Sequence, residues 1–121
     1  MVYEISVSTT FSASHQLRLY DGSLEPLHGH NWQVVATVSA EKLDSIGVVM
    51  DFHELERRVH AVIGAFDNRH LNEVAPFTDT NPSAENVAEF IVKSLRLPQR
   101  VKLVSVRVHE TKENWTCLKV D

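Results

Sequence analysis

The residues best placed to do chemistry are three histidines. In Leu27-His28-Gly29-His30-Asn31-Trp32, two of them stand one residue apart at the opening of a run of strand formers. Side chains of an extended chain alternate faces, so His28 and His30 project the same way with backbones roughly 7 Å apart, and their imidazoles can converge. Gly29 between them has no side chain, which lets backbone or a ligand come close on the opposite face. A third histidine, His15, closes Phe11-Ser12-Ala13-Ser14-His15 and shares strand parity with Phe11 and Ala13. If that segment pairs with the strand carrying His28 and His30, three neutral imidazoles surround one ion. Three protein ligands and an open fourth position is the zinc arrangement used for catalysis, whereas a structural zinc has all four positions filled by protein. The competing reading of H-x-H on a strand is ordinary polar surface.

The elements that must position these residues follow from periodicity. From Val2 to Ala13, Tyr3, Ile5, Val7, Thr9, Phe11 and Ala13 fall on one parity and predict a first strand. Asp21-Gly22-Ser23 and Pro26 supply turn chemistry that brings the chain back to the histidine pair. Trp32, Val34, Ala36 and Val38 share the parity of His28 and His30, predicting a second strand antiparallel to the first. Asp51 with Glu54 three residues on fits a helix-start box, and Leu55, Val59, Val62, Ile63 and Phe66 follow at helical spacing. Residues 67–82 read as a loop, of a length that is commonly functional. Ser83 then caps a second helix carrying Val87, Phe90, Ile91 and Leu95. Val104, Val106 and Val108 mark a third strand, and a turn at Lys112-Glu113-Asn114 leads into a fourth, Trp115 to Val120. The order β-β-α-α-β-β predicts an α+β fold: an antiparallel four-stranded sheet with two helices on one face. Its two free edges must be covered or paired, which favours self-association through the sheet.

Composition bounds the function. At 121 residues the chain is expected to be a single domain, 1–121. With 43% apolar and 23% charged residues it is an ordinary globular sequence, and no apolar run approaches the roughly 20 residues of a membrane helix. The start, Met-Val-Tyr-Glu-Ile-Ser-Val, has neither a basic segment nor a long apolar stretch, so a cytoplasmic location is expected. The single cysteine, Cys117, cannot form an internal disulfide. A net charge of -4 argues against a broad nucleic-acid footprint.

Several motifs in order carry a resemblance over essentially the whole chain: Phe-Ser-Ala-Ser-His ending at His15, His28-Gly29-His30, Met50-Asp51-Phe52, Asp67 with Leu71-Asn72, Asn81-Pro82-Ser83-Ala84-Glu85-Asn86, and Val108-His109-Glu110-Thr111. The chain resembles the family of 6-pyruvoyltetrahydropterin and 6-carboxytetrahydropterin synthases. The resemblance implies the tunnelling fold, with sheets joined into a barrel, commonly a homohexamer of two stacked trimers with active sites between subunits. It implies Zn2+ held by His15, His28 and His30. It implies a pterin anchored by Glu110, with Ser83 and Thr111 also on the substrate. A carboxylate suits a pterin because it accepts two hydrogen bonds from the amino group and ring N–H. Taken alone, Glu110 reads as a solvated hairpin residue and Ser83 as a helix cap.

Two departures set the expected chemistry. The family's cysteine base, four or six residues before His-Gly-His, is absent: Leu24 and Gly22 stand there. Glu25, three residues before the unit, resembles instead a variant in which a carboxylate replaces the cysteine. Such variants are associated with cleaving the side chain of 7,8-dihydroneopterin triphosphate to 6-hydroxymethyl-7,8-dihydropterin, a folate precursor. The family's Asp-His pair reads here as Asp67-Asn68, and asparagine cannot titrate. Asp67 remains as a partner or relay for Glu25, and His70 as a stand-in for the missing histidine. The expected activity is a zinc-dependent lyase acting on a pterin side chain. The alternatives are a non-catalytic pterin-binding paralogue that retains zinc, and a structural zinc protein with four protein ligands.

Overall fold

The computed structural model describes residues 1–121, and no helix in it is long and apolar enough to cross a membrane. The chain runs β1 (Tyr3–His15), β2 (His28–Ala40), α1 (Phe52–Ile63), β3 (Arg69–His70), a 3-10 turn (Leu71–Glu73), α2 (Ala84–Ser94), β4 (Lys102–His109) and β5 (Trp115–Lys119). The sheet order is β3-β1-β2-β4-β5, with β3 parallel to β1 and every other pair antiparallel. The expected α+β architecture is present, but with five strands rather than four. The fifth is β3, which pairs only at Ala13 and Ser14. Two residues carry no readable alternation, so periodicity could not find it.

What brings β3 to the sheet is a local device. Asn68 adopts φ 58°, a left-handed conformation that asparagine tolerates better than most residues. Its N–H reaches the carbonyl of Ser12 (2.6 Å), while the Asp67 carboxylate accepts the N–H of Ser12 (2.9 Å).

Both helices lie on one face. Both caps form, the Asp51 carboxylate accepting the N–H of His53 (2.7 Å) and the Ser83 hydroxyl that of Asn86 (3.1 Å), but the expected box at α1 is left half made because Glu54 bonds the Arg58 guanidinium instead. Leu55, Val59 and Ile63 of α1 and Val87, Ala88 and Ile91 of α2 are buried against Val7, Phe11 and Ala13 of β1, Trp32 to Ala40 of β2, and Val106 and Val108 of β4. Each such aliphatic or aromatic side chain contributes about 1.5–3 kcal/mol by leaving water. A register shift between Thr37 and Val38 places the extra residue in β4, so the predicted strict alternation through Val104 breaks there.

β1 and β2 pair along thirteen residues, from Tyr3 opposite Ala40 to His15 opposite His28. The inward parity of both strands is apolar, save Thr9, whose hydroxyl bonds His60 (2.9 Å), until the end where His15 meets His28. There it ends in His15, His28 and His30.

Candidate metal centre

The ladder that ends in the histidines also sets their geometry. His15 is directly opposite His28, and His30 is opposite Ala13, so all three share the helix-facing side of adjacent strands. Ring centroids are separated by 4.6 Å (His15–His28), 5.2 Å (His15–His30) and 4.9 Å (His28–His30), and one nitrogen from each ring meets the others within 4.8 Å.

The hydrogen bonds decide which nitrogens are available. His15 is 1% exposed, and its Nδ1–H donates to the carbonyl of Pro82 (2.7 Å). Nδ1–H of His28 donates to the carbonyl of Pro26 (2.9 Å). Carbonyls only accept, so these bonds fix the tautomers and leave both Nε2 atoms with a free lone pair. The Nε2 atoms of His15 and His30 are buried with no hydrogen-bond partner. A buried polar atom without a partner is costly, and two that face a common point fit a cation that accepts both lone pairs. Burial holds the imidazole of His30 below its ordinary value; Glu110 pulls the other way, and His15 and His28 add to the lowering. The neutral form so favoured is the one that binds a metal. The donor set, three imidazoles and no thiolate, suits Zn2+.

Two carboxylates flank the cluster. Glu25 Oε1 lies 3.7 Å from His28 Nε2, and Glu110 Oε2 lies 3.7 Å from His30 Nε2.

Glu25 is fixed by the segment that continues β1 beyond His15. Its Oε1 accepts the N–H of Leu17 (2.9 Å), and its own N–H donates to the carbonyl of Leu17 (3.0 Å). On either side of Leu17, a carboxamide takes the place of a missing strand. Asn72 bonds both the N–H and the C=O of Gln16 (2.9 and 2.8 Å), and Asn81 bonds both those of Arg18 (2.7 and 3.1 Å). The Arg18 guanidinium reaches back to the carbonyls of Phe77, Thr78 and Thr80.

The remaining predicted residues lie elsewhere. Asp67 holds the backbone of Ser12, five residues before the Leu17 that binds Glu25, and no hydrogen bond joins the two carboxylates; within one protomer the expected relay is not made. His70 Nδ1 bonds the hydroxyl of Ser14 (2.9 Å), whose side chain projects to the face opposite His15. His70 therefore does not join the cluster. It lines a polar cleft of about 480 Å³ with Ser12, Ser14, Gly29, Asn31 and Asn68. A Cβ on Gly29 would meet the Ala13 carbonyl at 3.6 Å, an ordinary contact, so the neighbouring backbone does not require glycine there. Ser83 is occupied as the α2 cap, one residue from the Pro82 carbonyl that holds His15. The Thr111 hydroxyl accepts the N–H of Asn114 (3.1 Å) and shapes the β4–β5 turn.

Sequence reasoning missed Trp32 as part of the site. It is fully buried, stacked on Phe11 (5.6 Å, 6° between planes), and it presents its ring nearly perpendicular to His15 (4.8 Å, 77°) and His30 (5.5 Å, 88°). The available signal was its parity, two residues beyond His30 on the same face.

Comparisons with known proteins find relatives along nearly the whole chain. A family model described as 6-pyruvoyl tetrahydropterin synthase matches residues 4–120. The putative 6-carboxy-5,6,7,8-tetrahydropterin synthase of Archaeoglobus fulgidus is 34% identical over 111 residues, spanning 92% of this chain and 90% of that one. The structure of the Caenorhabditis elegans 6-pyruvoyl tetrahydropterin synthase superposes with a TM-score of 0.83 at 24% identity, covering 100% of this chain and 97% of that one. A Plasmodium vivax 6-pyruvoyltetrahydropterin synthase, in a variant with alanine for a glutamate described as a catalytic residue, superposes with a TM-score of 0.72 at 18% identity, covering 98% and 97%. At these identities the two structures speak to the fold, which is the one the sequence resemblance implied.

Proposed function

The chain belongs to the 6-pyruvoyl tetrahydropterin synthase family, and from that premise we propose that it is a zinc-dependent lyase acting on the side chain of 7,8-dihydroneopterin triphosphate or a related pterin. The observation that carries this reading is the convergence of three imidazoles, two with buried unpartnered nitrogens, between the carboxylates of Glu25 and Glu110.

His15, His28 and His30 hold the ion, which when bound supplies Lewis-acid polarisation of the side-chain oxygens. Glu110 accepts hydrogen bonds from the amino group and ring N–H of the pterin. Ser83 and Thr111, at the α2 start and the β4–β5 turn, add contacts from the margin. Glu25 is the general base. It takes the proton of the second side-chain hydroxyl; that carbon becomes an aldehyde, the bond to the first side-chain carbon breaks, and its electron pair passes into the dihydropterin ring. Return of a proton to the first carbon gives 6-hydroxymethyl-7,8-dihydropterin and a triphosphorylated two-carbon aldehyde. A glutamate is described as a catalytic residue in the Plasmodium vivax synthase, which supports a carboxylate in that role on this fold.

The assembly in this reading is a homohexamer with sites between subunits. In favour of it, no strand pairs with Tyr3–Phe11 on the outer edge of β1, and β5 is the other bare edge. Asp67 and His70 then serve a neighbouring copy's site, since within one protomer neither reaches Glu25.

Incubating the protein with Zn2+ and 7,8-dihydroneopterin triphosphate and identifying products by mass tests the reading. 6-Hydroxymethyl-7,8-dihydropterin is expected. Unchanged substrate that binds tightly would favour the non-catalytic paralogue, in keeping with Asn68. Undiminished turnover by Glu25→Ala would remove Glu25 as the base.

A further inference from the structure

A metal-binding histidine normally has its second ring nitrogen tied to a carbonyl, carboxylate or water, which fixes both tautomer and ring orientation. Two of the three histidines here follow that rule, through Pro82 and Pro26. His30 does not. Its ring makes no hydrogen bond to the protein, and the nearest charged group, Glu110 Oε2, is 3.7 Å from Nε2, beyond hydrogen-bonding distance. Glu110 also sits on the nitrogen that faces the cluster, so it cannot serve as an outer tether.

What constrains His30 instead is packing. Trp32, two residues on along the same face, meets the His30 ring at 88° and the His15 ring at 77°. The indole is itself fixed from two sides. Its Nε1–H crosses to the carbonyl of Ala13 (3.2 Å), the residue paired with His30, and Phe11 stacks flat against it. Phe11 rests in turn on Phe66 (5.8 Å). A rigid aromatic column therefore runs from the core to the underside of the histidine cluster.

We infer that Trp32 is the positioning residue of the metal centre, giving His30 by packing the restraint from the protein that His15 and His28 receive from proline carbonyls. Edge-to-face contact favours one tilt of the imidazole over the alternative rotamers, so the lone pair is aimed before the ion arrives. The inference rests on the reading of His15, His28 and His30 as ligands.

The test measures Co2+ and Zn2+ affinity of the full chain by titration, with the Co2+ absorption spectrum as a report of ligand geometry. Trp32→Leu is expected to weaken binding about 10–100-fold, the usual cost of losing an outer-shell partner, and to alter the Co2+ bands. Trp32→Phe, which keeps an aromatic edge without the Ala13 bond, should fall between Trp32→Leu and the wild type. Val34→Ala, a core truncation on the same strand, is the control for general loosening and should leave affinity within about threefold. Wild-type affinity and spectrum in Trp32→Leu would overturn the inference, as would an equal loss in Val34→Ala. Should Trp32→Leu not fold, Trp32→Phe decides: unchanged affinity and spectrum overturn the assignment. A wild-type chain that binds neither ion removes the ligand reading itself, a separate outcome from binding that ignores Trp32.

Discussion

The two faces of the sheet at the end of β1 and β2 carry similar residue types in opposite states. On the helix-facing side, His15 and His30 present buried nitrogens that nothing in the chain satisfies. On the other side, the polar groups find partners within the chain: Ser14 with His70, Ser12 with Asn31 and Asp67. The lesson is that a histidine on a strand is not informative by itself. What marks this site is the convergence of two polar atoms kept out of water without a partner, because their joint cost is offset by one ion that binds both.

The sharpest way to break this contrast is to remove one histidine from each face. His15→Ala or His28→Ala should abolish stoichiometric metal binding, exceeding the roughly 10–100-fold that outer-shell losses cost. His70→Ala should leave metal content unchanged and cost about 1 kcal/mol, the net worth of its bond to Ser14. Elemental analysis of the purified variants reads the first effect, and urea unfolding the second. Equal metal loss in both would erase the distinction.

Next in size is Glu25→Gln, expected to lower turnover about 10²–10⁴-fold with metal content retained, as for loss of a general base. Metal loss in this variant would instead make Glu25 part of the ion's setting.

A pH effect comes third. The folded-state value of His30 is lowered by burial, so its unfolded form takes up a proton first as pH falls. Its contribution to stability is complete above the ordinary imidazole value of about 6.5 and is lost as pH falls through the lowered value. The metal-free chain should therefore weaken in acid below about pH 6.5, and His30→Gln should flatten that slope in urea midpoints measured from pH 7 to 5.

The smallest effect concerns the turn that builds the outer cleft. Asn68→Val should cost about 1–2 kcal/mol, because a β-branched residue resists φ 58°. Asn68→His should be nearly neutral in stability, since histidine is among the residues tolerated there. Restoring the family's histidine thus tests chemistry without disturbing the fold, and a gain in turnover would show that Asn68 is what restrains it.

The inner face was legible in the sequence and the outer one was not. Strand parity and an antiparallel pairing suffice to bring His15, His28 and His30 together, because a period of two leaves few other arrangements. The placement of Asp67 and His70 depends on how residues 67–82 dock on β1. That follows from one left-handed asparagine and a two-residue strand, which leave no periodic trace. Trp32 was visible as an inward residue, but its reach across to Ala13 and under two imidazoles is a matter of rotamer, which parity does not specify.

The carboxamide clamps of Asn72 and Asn81 tie the fates of two loops together. Residues 16–18 stand between the turn that carries Glu25 and the stretch that leads to α2, bonded to both. Neither loop can loosen without slackening the other. Heat, protease or an inserted residue in the Asp21–Ser23 turn should therefore be felt at Asn81, on the far side of the chain's course, as soon as at Glu25.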